Sequence, residues 1–163
     1  MGGKEKRESP AGEKAKAFVI GSQAGTVPGM KVELFTLADY AVAVPGGKLT
    51  IVGTFDRLTP PQLPYQQPAF YLVGKLRFDA TEVGERRIKF TISNPDGKMI
   101  GALPEVKVPV TLRGDDYTAA MQVVLQINGL PLAESGDHSI NLLIDDKTEA
   151  TLLLTIKVAS KQG

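Results

Sequence analysis

The sequence predicts an all-β fold, an antiparallel two-sheet sandwich preceded by an N-terminal extended arm. Three observations carry this. Apolar and polar residues alternate with a period of two in segment after segment between residues 31 and 158, the spacing that puts alternate side chains on opposite faces of a strand. Gly, Pro, Asn and Asp punctuate these segments where a chain must reverse. No stretch combines helical spacing of apolar residues with end caps, so helix is limited to a turn or two.

Taken in order, residues 1–29 stand apart from the rest. They hold five basic residues, three Glu and six of the 17 Gly, whereas residues 30–163 hold 14 basic residues against 15 acidic. Such a segment buries too little to offset its ordering entropy. Its one apolar cluster is Ala17, Phe18, Val19 and Ile20. That run is too short for the apolar region of a secretory signal, and the first six residues lack the Ser or Thr of a myristoylation motif. No apolar run approaches the roughly 18 residues of a membrane span. The expectation is a cytoplasmic protein whose domain begins at Met30. Residues 1–29 are then either a leader or an arm in which Phe18, Val19 and Ile20 add as a strand to a neighbouring subunit.

Eight segments then read as strands. Residues 32–37 and 106–112 alternate weakly. Residues 48–55 place Leu49, Ile51 and Phe55 on one face, and 69–78 place Phe70, Leu72, Leu76 and Phe78 together. Residues 86–92 align Ile88, Phe90 and Ile92, and 117–127 align Met121, Val123, Leu125 and Ile127. Residues 138–144 and 150–158 complete the series. The turn at Asn94, Pro95, Asp96 and Gly97 presets φ at its Pro and admits positive φ at its Gly. Pro45-Gly46-Gly47 and Asp145-Asp146-Lys147 are further hairpin candidates. Four prolines within residues 59–68 favour an extended crossover between the sheets. Asp39, a carboxylate inside an apolar run, marks a place where the first strand bends or breaks.

Two resemblances follow from particular residues. Gly136, Asp137 and His138, after Leu130-Pro131-Leu132, resemble the corner before the penultimate strand of immunoglobulin-like domains, with His138 where those domains carry Tyr. This makes the expected sandwich immunoglobulin-like. Met30 to Ala41, then Gly47 to Asp56, with the later Asp96-Gly97 turn and the Gly136 corner, resemble an uncharacterised bacterial family of small β proteins over residues 30–158. The resemblance implies a domain of unknown function beginning near Met30 and brings no catalytic residue with it.

Composition narrows the chemistry. The chain has 163 residues, no Cys, no Trp and one His, which excludes disulfides, thiolate catalysis and a three-His zinc site within one chain. A net charge of +1 argues against bulk binding of nucleic acid or an anionic membrane. No phosphate loop, dinucleotide fingerprint or zincin motif is present. His138, the one available base, follows a Gly corner and reads as structural, so no catalytic residue is assigned.

Two constellations remain. If 69–78 and 86–92 form a hairpin about Glu82, Arg77 faces Arg87 and Lys75 faces Lys89, and each like-charge pair costs a few tenths to about 1 kcal/mol unless neutralised. Such a ladder awaits carboxylates of a neighbouring strand or an acidic partner. Separately, Asp115, Asp116, Asp137, Asp145 and Asp146 fall at strand ends, where converging loops could offer hard oxygen ligands to calcium. The favoured expectation is a non-catalytic structural or interaction module, a homo-oligomer that self-associates or docks through its arm and strand edges. The alternative is a calcium- or small-ligand-binding sandwich using the acidic loops.

Overall fold

The period-two pattern becomes twelve strands in the computed structural model, which describes residues 29–161. They are β1 (Lys31–Val44), β2 (Lys48–Phe55), β3 (Arg57–Leu58), β4 (Tyr65–Gln67), β5 (Phe70–Asp79) and β6 (Gly84–Ser93). Then come β7 (Met99–Ala102), β8 (Val106–Val110), β9 (Thr118–Ile127), β10 (Leu130–Leu132), β11 (Gly136–Ile144) and β12 (Lys147–Ile156). One short 3-10 turn, Ala80–Glu82, is the sole helical element among the described residues.

The first sheet has the order β2-β1-β5-β9, and the second runs β3-β12-β11-β6 with β7 and β8 both paired to the far edge of β6. Every pairing is antiparallel except that of β3 with β12. β4 and β10 form a small third pair. The proline-rich stretch carries the chain from β3 in the second sheet, through β4, to β5 in the first. Fold class is therefore as the alternation predicts, an all-β antiparallel sandwich. The inner faces share one core, with Leu72, Leu76 and Phe78 of β5 in the same cluster as Phe90 and Ile92 of β6 and Ile140 of β11. Phe35 of β1 stacks on Phe90 across the two sheets at 6.1 Å. Each fully buried side chain of this size contributes about 1.5–3 kcal/mol by leaving water.

The hairpin of 69–78 with 86–92, the condition for a ladder of like charges, does not form. β5 lies between β1 and β9 in one sheet while β6 pairs β11, β7 and β8 in the other. The reason is burial. Leu72, Gly74, Leu76 and Phe78 share a buried inner face and Val73 is buried on the outer one, which suits a strand in the middle of its sheet with a hydrogen-bonded neighbour on each edge. Crossing to the opposite sheet at the Ala80–Glu82 turn lets the inner faces of β5 and β6 meet across the core instead of lying side by side. Asp79 accepts the Thr81 amide at 2.8 Å and so caps that turn.

The first strand neither stops nor breaks at Asp39. It pairs β5 only as far as Ala38, and pairs β2 from Leu37 to Val44. Opposite Asp39 stands Gly53, at φ +67, and a β-carbon at Gly53 would collide with the Asp39 carboxylate. Beyond this point the β1–β2 hairpin leaves the plane of the sheet and folds back over its outer face. Gln122 of β9 donates its side-chain amide to the Gly47 carbonyl at the hairpin tip. Ala41, Leu49 and Ile51 of the hairpin cluster with Ala38, Val73 and Val124. Val73 is 0% exposed although it points away from the main core. Tyr40 and Val52, paired across the hairpin, remain exposed.

Candidate functional site

An antiparallel strand directs the N–H and C=O of every second residue to each side, so a strand at the end of a sheet keeps a row of unpaired groups. Edges are commonly protected by short length, charge or Pro. The facing edge of the second sheet obeys this: β7 and β8 are short, Pro104 separates them and Pro109 interrupts β8. β3 has two residues, and β2 belongs to the folded-back hairpin. β9 is different. It is ten residues long, contains no charged residue and no Pro, and pairs only β5 among the described residues.

Beside that free edge the sandwich is open. A cleft of ≈ 530 Å³ separates Met121, Val123 and Leu125 of β9 from Phe90, Leu103 and Val106. Its walls are overwhelmingly apolar, and Val106 on its rim is 49% exposed. Toward the Thr118 end a second, more polar hollow of ≈ 830 Å³ continues along β9 between the hairpin tip at Gly46 and Gly47 and the loop carrying Arg113 and Asp116. Met121 and Gln122 line both. A groove therefore follows the unpaired edge of β9, with backbone donors and acceptors on one side and an apolar floor.

The basic residues singled out in the sequence do not gather there. Lys75 and Arg77 point outward from β5, where Glu33 of β1 receives both: Arg77 donates to both its carboxylate oxygens, and Lys75 lies 3.3 Å from Oε2. Arg77 also donates to Thr118 Oγ1 at 3.0 Å. Its guanidinium, foremost, holds the Glu33 carboxyl below the usual range. Arg87 lies on the other sheet and donates to Asp146 Oδ2 at 2.7 Å. Lys89 stands opposite Leu143 and makes no ion pair among the described residues. Lys75 and Arg77 on one sheet and Arg87 on the other belong to two separate ion-pair groups, with Lys89 in neither, rather than to a four-membered ladder, because their strands are not neighbours. Phe18, Val19 and Ile20 lie outside the described residues.

The acidic residues do not converge on a metal site. β11 runs from Gly136 to Ile144, which separates Asp137 from Asp145 by about 26 Å at 3.3 Å per residue. Asp137 accepts from Thr155 Oγ1 at 2.7 Å. Asp145 and Asp146 form the two-residue turn between β11 and β12, at φ 49 and 67, conformations that Asp tolerates better than most residues. Asp145 accepts the Arg87 amide at 3.0 Å and the Arg86 guanidinium at 2.9 Å. Those bonds, the backbone one first, hold its carboxyl below the usual range. Asp115 and Asp116 sit exposed in the β8–β9 loop. No group of three or more His, Cys, Asp and Glu suited to a metal occurs among the described residues. The turn acids and Arg86 and Arg87 of β6 neutralise one another, a link that spacing alone does not reveal.

His138 is 1% exposed, at the start of β11 opposite Leu154. Its Nδ1 lies 3.3 Å from the Gly136 carbonyl oxygen, which can only accept, so Nδ1 carries the proton in that contact. No helix among the described residues is long and apolar enough to cross a membrane.

Comparison with known proteins returns one family, "Family of unknown function (DUF6941)", whose profile matches residues 33–157. No curated protein matches the sequence. Among solved structures, an alkylpurine DNA glycosylase of Pseudomonas fluorescens aligns at 10% identity and TM-score 0.43, over 83% of this chain and 32% of that one. A β-glucosidase of Listeria innocua aligns at 9% identity and TM-score 0.44, over 77% of this chain and 17% of that one. The C-terminal domain of wzt aligns at 14% and TM-score 0.42, over 82% and 77%. This chain thus spans a third or less of the two enzyme chains.

Proposed function

The chain belongs to DUF6941, a family of unknown function, and from that premise and the geometry we propose that it is a non-catalytic interaction module that self-associates by taking an extended segment of a second copy along the free edge of β9. The observation that carries this is the uncharged, proline-free β9 edge beside an apolar cleft. Main-chain hydrogen bonds to the outward groups of β9 would supply affinity, and alternate apolar side chains entering the cleft would supply selectivity. The one histidine is spent on a buried structural contact, and the carboxylates most suited to a site are engaged by arginines. Both points favour docking over catalysis, and the proposed partner is protein rather than nucleic acid, membrane or metal.

The test is the solution mass of the full chain by light scattering over a concentration series, beside Val106→Glu. That substitution places a charge on the cleft rim at an exposed position and should leave the unfolding temperature unchanged. Mass that rises with concentration in the wild type and not in the variant is the expected result. A mass that stays constant, or that rises equally in both, overturns the reading.

A further inference from the structure

The same edge has a candidate resident close at hand. The described chain begins at Gly29, whose amide donates to the Asp79 carboxylate. Asp79 is the last residue of β5 and is paired with Thr118, the first residue of β9. Gly29, to which residues 1–28 are joined, therefore sits beside the Thr118 end of the groove. Their single apolar cluster is Ala17, Phe18, Val19 and Ile20, with the two largest side chains two positions apart. In an added strand Phe18 and Ile20 share one face, as the cleft requires.

Reach permits the chain to fill its own groove. Nine residue steps join Ile20 to Gly29, enough for about 30 Å when extended. A strand added outside β9 lies two strand spacings from β5, about 10 Å. Setting Ile20 opposite Met121 adds three steps along β9, about another 10 Å. The path lies past the hollow bounded by Gly47, Arg113, Asp116 and Ala120. Direction agrees as well. An arm laid back from Gly29 along β9 would climb from the Thr118 end toward Ile127, so such a strand would run antiparallel to β9, as every neighbour in that sheet does to the next.

We propose that residues 17–20 occupy the β9 edge of their own domain, Phe18 and Ile20 directed into the cleft, and that assembly proceeds by exchange of this arm between copies. The inference rests on the docking reading above and names its resident. A short linker confers an effective concentration in the millimolar range, so a segment with a free Kd of about 0.1 mM fills its own groove about 90% of the time. Exchange between copies then needs high protein concentration, or a linker too short to reach.

The experiment is hydrogen exchange at the amides of residues 119–125 with light scattering, at low micromolar full chain. Three chains are compared: wild type, the double variant Phe18→Asp with Ile20→Asp, and a chain lacking residues 22–27, whose three remaining steps span about 10 Å. The wild type is expected to be monomeric, with outward β9 amides exchanging about tenfold more slowly than in the double variant. The shortened chain is expected to keep that protection and to become dimeric or larger. Equal exchange in wild type and double variant overturns the proposal, and so does a shortened chain that stays both monomeric and protected. A free peptide of residues 12–24 separates the two levels. If it slows β9 exchange in the double variant, the edge accepts a strand even where the resident assignment has failed. If it does not, the docking reading falls with it.

Discussion

Gly53→Ala tests the bend of the β1–β2 hairpin and can be sized from the backbone. Gly53 adopts φ +67, and the added β-carbon would also meet the Asp39 side chain, including its own β-carbon at 3.2 Å. The left-handed backbone alone costs about 1–2 kcal/mol for an L residue, reduced by the smaller entropy of an unfolded chain with Ala. The collision adds about 1–3 kcal/mol, the range for forcing one methyl into occupied space. Gly97 supplies the control, because it has φ +81 with nothing within 4 Å of an added β-carbon. Thermal unfolding followed by circular dichroism should place Gly97→Ala about 3 °C below wild type and Gly53→Ala about 6–12 °C below, at about 3 °C per kcal/mol for this size. Adding Asp39→Ala to Gly53→Ala should recover part of the difference, since it removes the carboxylate but keeps the Asp39 β-carbon. If Gly53→Ala costs no more than Gly97→Ala, the Asp39 contact does not shape the bend, and the argument for it is wrong.

Three further outcomes are expected. Asp145→Ala should cost about 1–2 kcal/mol by urea unfolding, a screened value for losing its bonds to Arg86 and the Arg87 amide, while Asp145→Asn retains tolerance of positive φ and loses less; equal losses would contradict the turn argument. Stability should be constant near neutrality and fall on acidification: Glu33 and Asp145 titrate below their ordinary values of 4.5 and 3.8 in the folded protein, so their contribution is complete above the unfolded values and disappears as pH drops through the lower folded ones. A melting temperature that stays level from pH 6 to pH 2 would refute this. Gln122→Ala removes the tether to Gly47 and should speed amide exchange in Lys48–Phe55 with little change in β5, at a cost of about 0.5–1.5 kcal/mol; unchanged exchange would show that the hairpin is held by its apolar underside alone.

The strands most legible in the sequence were those whose two faces differ in environment. β11 alternates buried and part-exposed residues from His138 to Ile144, and β6 does so from Arg87 to Phe90, so period two is visible without the fold. β5 is equally visible as a strand, yet its partners, β1 and β9, are not. Proximity in sequence points to β6, while the sheet places β5 between β1 and β9, and nothing local records which strands those are. β3, β4, β7 and β10 have two to four residues, too few to establish a period. The long continuation of β1 past Asp39 was hidden because alternation reads a polar residue as an interruption, whereas the bend simply exposes it. Of the site, the charge-free composition of β9 could be read directly. That β9 ends its sheet could not, because edge and centre differ in pairing and not in pattern. The acidic turn at Asp145 and Asp146 reads as a ligand source because its partners Arg86 and Arg87 lie 58 or 59 positions away in the sequence.

The route of the chain between the sheets also bears on synthesis from the N-terminus. β1, β2 and β5 of the first sheet are all made before residue 80, but the strand that closes β5 on its second edge, β9, begins only at Thr118. During the interval β5 carries the open edge that β9 carries in the finished domain, with Val73 and Leu76 already in place. The three strands that intervene in translation, β6 to β8, belong to the opposite sheet, and the turn before them leads into it. A growing chain thus presents an open edge twice, first on β5 while the core is half built and then on β9 once the sheet has closed.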